Sequence, residues 1–255
     1  MTTASTTSWT HEKIQANGIQ FHYVTEGDGP LMLFLHGFPE YWYSWRHQIS
    51  EFSKNYKVVA LDMRGYGQTD CPQGKENYTI DVLVDDVKEV VSALGYEKCI
   101  LVGHDWGALV AWYVTMNFEA CVEKLIVMNV PHPKCYMENL TFRQVLRSWY
   151  IWMFQLPTLP EMYLKANDFK WITDQFQSAV NPAAFPEEDL NKYKENAAMP
   201  GALTAMLNYY RNLPAEMMRM DSTPIIQVPT LMLWGEKDGY TGKDSTKGTD
   251  RYVKN

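Results

Sequence analysis

The stretch of sequence that decides the fold is Val102-Gly103-His104-Asp105-Trp106-Gly107. It follows a short apolar run and opens a helical pattern, which predicts a strand, a tight turn and a helix. The flanking glycines permit a strained turn that pushes the central side chain out at the carboxyl end of a sheet. This arrangement is typical of a nucleophile elbow, G-x-Nuc-x-G, with aspartate in the place of the more usual serine.

The aspartate at the centre of this turn suits a particular chemistry. A carboxylic acid with an ordinary pKa near 3.9 is ionised at neutral pH, and N–H groups at a helix N-terminus favour the ionised form. Such a carboxylate can attack an sp³ carbon without a base and form a covalent alkyl ester. The alternative is that Asp105 only caps the helix between two packing glycines.

Short apolar runs and helical patterns alternate on both sides of the elbow. Helical spacing over residues 80–94 stops at Gly95, and Asn17-Gly18 between two strand-like runs predicts a hairpin. The sequence therefore predicts an α/β fold with a mostly parallel sheet and helices on both faces. The runs expected to form buried strands of that sheet cover residues 31–35, 57–61, 99–102, 125–130 and 230–234.

The alternation is interrupted in the second half of the chain. Residues 132–222 contain no good strand pattern and are rich in aromatic residues, which predicts a helical cap, or lid. We expect residues 1–131 and 223–255 to form the first and second parts of the α/β core. The prolines expected to break the cap helices are Pro157, Pro160, Pro182, Pro186, Pro200 and Pro214.

The composition narrows the range of partners and locations. The 255 residues include 23 Lys and Arg and 30 Asp and Glu, a net charge of −7 with no basic cluster, which argues against nucleic acid and anionic membranes as partners. The apolar runs are far shorter than a membrane-spanning helix requires. Residues 1–10 lack the features of a signal or transit peptide. The isolated cysteines at positions 71, 99, 121 and 135 predict reduced thiols and a cytoplasmic location.

A second motif, His36-Gly37-Phe38-Pro39, follows the apolar run at 31–35. In folds with a nucleophile elbow, an N–H from such a loop joins the N–H after the nucleophile to form an oxyanion hole. The donors would then be the backbone amides of Phe38 and Trp106. The alternative is an ordinary Gly-Pro turn without a catalytic role.

In combination, the motifs resemble those of the α/β-hydrolase superfamily, and within it those of the epoxide hydrolases. The resemblance extends from about Trp9 to the last residue, and Gln68-Thr69-Asp70 departs slightly from the usual ending of its motif. The matching stretches are His36-Gly37-Phe38-Pro39-Glu40, Trp42-Tyr43-Ser44-Trp45-Arg46, Asp62 with Arg64-Gly65-Tyr66-Gly67, and Gly103-His104-Asp105-Trp106-Gly107.

The resemblance implies roles for three residues outside these motifs. Tyr150 and Tyr210 match the two cap tyrosines that donate to the epoxide oxygen, and Asp238 matches the carboxylate that orients a catalytic histidine. Otherwise the tyrosines are packing residues and Asp238 is a turn residue. We expect His36, Pro39 and Trp106 to line the substrate pocket. The implied substrate is a small apolar or aryl epoxide, and no metal or organic cofactor is implied. The oligomeric state is left open.

The family also uses a histidine after one further strand, as the base that activates water. This sequence has His11, His22, His36, His47, His104 and His132, and none after Asp238. We therefore expect a C-terminally truncated member, without the last strand and helix, whose full turnover is doubtful. His104 is expected to point away from the nucleophile that it precedes. The competing functions are a haloalkane dehalogenase, which also uses an Asp followed by Trp, and a non-catalytic binding protein.

Overall fold

The protein is described here by a computed structural model that covers residues 9–178, 181–218 and 224–255. Seven strands within these ranges form one sheet. They are β1 (Thr10–Ala16), β2 (Ile19–Glu26), β3 (Leu31–Leu35), β4 (Lys57–Leu61), β5 (Cys99–His104), β6 (Val122–Met128) and β7 (Thr230–Leu233). Their order across the sheet is β1-β2-β4-β3-β5-β6-β7.

The sheet begins antiparallel and continues parallel, which confirms the prediction. β1 and β2 pair antiparallel around Asn17 and Gly18, whose φ angles of 41° and 77° lie in the left-handed region that hairpin turns need. β2 pairs antiparallel with β4, and every later pairing from β4 to β7 is parallel. Strands β3, β4 and β5 are the most buried, because helices cover both faces of a parallel sheet.

Nine α-helices lie in the same ranges, and the predicted helix 80–94 is confirmed as α2. Gly95, with φ of 84°, ends it as expected. The helices are α1 (Arg46–Phe52), α2 (Ile80–Ala93), α3 (Trp106–Asn117), α4 (Pro133–Glu138), α5 (Phe142–Arg147), α6 (Trp149–Met153), α7 (Leu159–Gln177), α8 (Glu187–Ala198) and α9 (Ala202–Met217). Residues 166–169 leave the helical conformation inside α7. Over the ranges given above, no helix has the length and apolar character to cross a membrane.

The prediction that residues 230–234 form a buried strand was wrong in part. The segment does form β7, parallel to β6, but Leu231 and Leu233 are 50% and 45% exposed. β7 is the edge strand of the described sheet, so only β6 covers it laterally. An apolar pattern alone does not distinguish an edge strand from a central one.

The segment that connects β6 to β7 contains helices α4 to α9, and no strand is found in its described residues, in agreement with the sequence pattern. The boundaries 132–222 remain a prediction, and residues 179–180 and 219–223 lie outside the described ranges. Pro186 is the N-cap of α8, but Pro214 lies inside α9 rather than breaking it. Proline frees the carbonyl four residues earlier, that of Tyr210. Gln155 Nε2 donates to this oxygen at 2.8 Å, which lets the helix continue.

Candidate active site

Asp105 stands in the turn between β5 and α3 with φ of 50° and ψ of −122°. This backbone conformation is unfavourable for a residue with a side chain and is typical of functional sites. The positions two residues before and after Asp105 must be glycine. A Cβ on Gly107 would lie 2.1 Å from the carbonyl oxygen of Leu35, and one on Gly103 would lie 2.5 Å from the oxygen of Gly107. The two glycines therefore let α3 approach β3 and hold the turn closed.

The loop after β3 reaches the same carboxylate. The backbone N–H of Phe38 donates to Asp105 Oδ1 at 2.8 Å, and the N–H of Trp106 also hydrogen-bonds this carboxylate. A Cβ on Gly37 would lie 2.3 Å from Cβ of Asp105, so only glycine allows this approach. The two amides expected to form an oxyanion hole thus converge on the side chain expected to be the nucleophile.

Burial makes the Asp105 carboxyl harder to ionise than the sequence suggested. Desolvation raises the pKa of its carboxyl, whereas the charge of His104 and the N–H groups of Phe38 and Trp106 lower it, and the net direction is upward. The expectation that N–H groups at the helix N-terminus hold this carboxylate ionised omitted the opposing cost of burying a charge.

An ion pair lies beside Asp105. His104 Nδ1 is 3.1 Å from Glu40 Oε2, an oxygen that also accepts the N–H of Gly37 at 3.1 Å. Burial lowers the pKa of His104, but Glu40 and then Asp105 raise it, with a net value of about 9. The imidazole therefore carries a positive charge at neutral pH. Sequence reasoning missed this pair, although Glu40 and His104 both belong to stretches quoted for the family resemblance.

The two tyrosines expected in the cap lie close to each other and line the same cavity as Asp105. The ring centroids of Tyr150 and Tyr210 are 5.9 Å apart, and Tyr210 lies 5.3 Å from the ring of Phe38 and 5.0 Å from that of Trp106. Burial, followed by the charge of Asp105, raises the pKa of both phenols well above 10. Both hydroxyls are therefore protonated at neutral pH and can act as donors.

Asp105, Trp106 and both tyrosines line one cavity between core and cap. Its empty volume is about 1040 Å³ including the open mouth. Apart from Asp105, the described lining carries no charged side chain. The remaining lining residues are Leu109, Val130, Pro131, Pro133, Tyr136, Leu140, Val145, Ser148, Ile151, Trp152, Leu213, Pro214, Met217 and Thr241.

Of the three expected pocket residues, only Trp106 lines this cavity. His36 and Pro39 are not among its lining residues, so the expectation that they line the substrate pocket is corrected. His36 is fully buried: its Nε2 accepts the N–H of Met63 at 3.0 Å, and its Nδ1 is 2.9 Å from the carbonyl oxygen of Gly37. With both ring nitrogens occupied, His36 holds the loop that carries Phe38. In the sequence, the position of His36 next to Gly37 does not show whether its side chain lines the pocket or supports the loop.

Asp238 follows β7, and three donors hold its side chain. Its Oδ1 accepts the N–H groups of Tyr240 at 2.7 Å and Thr241 at 3.0 Å, and Asn129 Nδ2 donates to its Oδ2. Asn129 also accepts the N–H of Gly235 at 3.0 Å. The sequence gives no reason to expect this role for Asn129, and the structure makes it a support of the Asp238 carboxylate.

The histidines contribute no hydrogen bond to Asp238 in the described part of the chain, since its donors there are Asn129 and two backbone amides. His132 is an example of a structural imidazole. Burial lowers its pKa to about 4, and its ring stacks on Tyr252 with centroids 4.7 Å apart. It is therefore neutral at pH 7 and a very weak base.

The fold and the site together define an α/β hydrolase with aspartate at the elbow. The family model described as alpha/beta hydrolase fold matches residues 30–254. Human epoxide hydrolase 4 is 42% identical over 256 residues, which cover 95% of this chain and 69% of that protein. The AB hydrolase superfamily protein YfhM of Bacillus subtilis is 41% identical, over 95% of this chain and 86% of that protein.

A solved structure extends the comparison to three dimensions. An epoxide hydrolase from Bacillus megaterium, whose structure was determined in complex with an inhibitor, is 36% identical with a TM-score of 0.86. The match covers 95% of this chain and 88% of that one. The chain belongs to the epoxide hydrolases of the α/β-hydrolase superfamily.

Proposed function

We propose that Asp105 opens the epoxide ring by direct attack on carbon. The observation that carries this proposal is the 2.8 Å hydrogen bond from the Phe38 amide to Oδ1 of Asp105, a residue that lines the cavity, and we take the other carboxylate oxygen, Oδ2, as the attacking atom. The new C–O bond produces an alkyl ester of Asp105, and the ring C–O bond breaks to leave an alkoxide. The held Oδ1 becomes the ester carbonyl oxygen, which both amides can then stabilise as charge develops on it.

The alkoxide is the charge that the cap must neutralise. Tyr150 and Tyr210 line the same cavity as Asp105, and both keep their protons because burial raises their pKa. Each can donate to the epoxide oxygen as its negative charge develops, and one can transfer its proton to give the alcohol. Donors aimed at a developing oxyanion each contribute about 10²- to 10³-fold to the rate.

The substrate class follows from the lining of the cavity. Apart from Asp105, the wall of the cavity is built largely from aliphatic and aromatic side chains such as Leu109, Leu213 and Trp152. Burying apolar substrate surface there contributes about 25 cal/mol for each Å² removed from water. We infer a small apolar or aryl epoxide as substrate, and a charged substituent would lack a partner on this wall.

The second step, hydrolysis of the ester, needs a base near Asp238. No histidine follows Asp238 in the 255 residues, and His132 is held neutral against Tyr252. We therefore propose that a polypeptide made of these 255 residues alone forms the Asp105 ester faster than it hydrolyses it. Phe38 and Trp106 would hold the oxyanion in that step, with Asp238 orienting the base.

Intact mass spectrometry tests this proposal directly. The polypeptide is incubated with excess styrene oxide, quenched in acid and weighed, and we expect one added epoxide mass that persists for many minutes. Asp105→Asn should show no adduct, while Asp244→Asn, a change at an exposed aspartate paired with Lys247, should react like the wild type. Absence of both an adduct and a diol product from a folded wild-type chain would favour a non-catalytic binding protein, whereas diol without a persistent adduct would contradict slow hydrolysis of the ester.

The same assay distinguishes the dehalogenase alternative. A chloroalkane of similar size would form an ester and release chloride, which a halide assay measures. The pair of cap tyrosines favours the epoxide, because an epoxide needs a donor for its oxygen and a chloride leaving group does not. Faster reaction with the chloroalkane than with the epoxide would reverse the assignment.

A cytoplasmic location is also proposed. Its support is that Cys71, Cys99, Cys121 and Cys135 are all free thiols in the structure, as expected in a reducing compartment. Thiol titration of the freshly isolated protein, unfolded without a reductant, should give four reactive groups.

A further inference from the structure

Gln144 of α5 in the cap is hydrogen-bonded to the loop that follows Asp238. Its Nε2 donates to the carbonyl oxygen of Tyr240 at 2.7 Å and lies 3.1 Å from Ser148 Oγ. Its Oε1 accepts the N–H of Gly242 at 2.9 Å. The side chain is only 6% exposed, so these bonds are shielded from water.

Residues 240–242, which we call the strap, are thus held from both ends. Asp238 Oδ1 accepts the N–H groups of Tyr240 and Thr241. Gln144 binds the carbonyl oxygen of Tyr240 and the N–H of Gly242. A Cβ on Gly242 would lie 3.0 Å from Nη1 of Arg147, so the strap lies directly against α5. The strap therefore connects the core carboxylate to the cap through backbone hydrogen bonds.

The strap also forms part of the cavity wall beside a cap tyrosine. The ring of Tyr240 packs edge-on against that of Tyr150, with centroids 5.7 Å apart and an interplanar angle of 88°, and Thr241 lines the cavity. Ser148, which Gln144 also contacts, stands at the N-cap position of α6, the helix that carries Tyr150, without a side-chain capping bond. Gln144 thus touches both the strap and the start of the tyrosine's own helix.

We propose that Gln144 is a positioning residue for epoxide opening, which sets the place of the Tyr150 hydroxyl through the strap and Ser148. This inference rests on the proposed function. Tyr150 donates to the oxygen only as the ring C–O bond breaks, so misplacing it slows the reaction without weakening substrate binding. A misplacement of about 1 Å can cost as much as a hundredfold in rate.

The experiment compares Gln144→Met with Gln48→Met. Methionine keeps the length of the side chain and removes its hydrogen bonds, and Gln48 lies on α1 in the core, away from the cavity. The limiting rate of Asp105 alkylation by styrene oxide is measured by quenched intact mass. For Gln144→Met we expect a fall of about tenfold or more, with the half-saturating concentration unchanged. Gln48→Met should keep the wild-type rate.

A double-mutant cycle separates positioning from a general loss of structure. If Gln144 acts through the strap, its substitution should have a much smaller effect on the limiting rate in a Tyr240→Ala background. Fully additive rate losses, or a wild-type rate in Gln144→Met, would overturn the inference while leaving the proposed function intact. Neither adduct nor diol in the wild type would overturn both. Thermal melts of all variants show whether a rate loss merely follows unfolding, and a loss that does so also contradicts the inference.

Discussion

The N–H of Phe38 lies 2.8 Å from Oδ1 of Asp105, although 67 positions separate the two residues in the chain. Parallel pairing of β3 with β5 produces this proximity, because Leu35 pairs with Gly103 at the carboxyl ends of both strands. The loop after one strand therefore meets the turn after the other. This single contact joins the expected nucleophile to the expected oxyanion hole.

Gly37→Ala should disable this contact. The added methyl would lie 2.3 Å from Cβ of Asp105, so one of the two loops must move. We expect alkylation of Asp105 to slow by about a hundredfold, together with a lower melting temperature. Gly239→Ala is the matched control, since no atom lies within 4 Å of its added Cβ. Equal alkylation rates in the two variants would refute the close-approach argument.

His104→Gln should shift the acid limb of the alkylation profile to higher pH. The ionised Asp105 is the reactive form, and its raised pKa is partly opposed by the charge of His104. Removing that charge raises the pKa further, so more alkaline conditions are needed to ionise the nucleophile. Alkylation rates between pH 4 and 8 measure the shift. His47→Gln, at an exposed position on α1, should leave the midpoint in place.

The Glu40–His104 pair should make stability depend on pH. The pKa of His104 is about 9 in the folded chain against an ordinary value of 6.5. Its stabilising contribution is therefore complete below pH 6.5 and is lost as the pH rises through 9. The difference in melting temperature between wild type and Glu40→Gln should shrink across that window. A constant difference from pH 6 to 9.5 would contradict the ion pair.

Tyr150→Phe and Tyr210→Phe should each slow the opening of styrene oxide by about 10²- to 10³-fold. The substitution removes only the hydroxyl and keeps the ring contacts of the pair. Tyr113→Phe provides a control outside the cavity around Asp105. The rate of ester formation by quenched mass spectrometry decides the outcome. If both single variants react at the wild-type rate, the tyrosines only pack the cap.

Asp86→Ala should destabilise the fold by about 3–5 kcal/mol, because it leaves a buried charge without its partner. Arg64 Nε donates to Asp86 Oδ2 at 2.7 Å, and both side chains are almost fully buried. Asp174→Ala removes the partner of Lys170 in an exposed pair and should cost about 0.5 kcal/mol or less. Urea unfolding measures both, and similar losses would show that burial does not set the cost.

The sequence alone was sufficient for the fold class and most of the candidate site. Strand-length apolar runs, an Asn-Gly hairpin and a helix ended by Gly95 are local patterns, because backbone conformation and side-chain alternation act over a few residues. The nucleophile elbow is also recognised from a short local pattern, although only Gly103 is required by a contact within the elbow, whereas Gly107 is required by the carbonyl of Leu35 in β3. These local patterns were enough to predict Asp105 as the nucleophile and the amides of Phe38 and Trp106 as the oxyanion hole.

Tertiary structure decided what depends on burial and on contacts between distant segments. The raised pKa of Asp105, the charge of His104 beside Glu40 and the hydrogen bonds of Gln144 to the strap arise from groups far apart in the chain. The place of His36 behind the loop, and of β7 at the sheet edge, depends likewise on what packs against each. Local pattern specifies which residues can react, whereas desolvation and long-range hydrogen bonds specify their charge, orientation and neighbours.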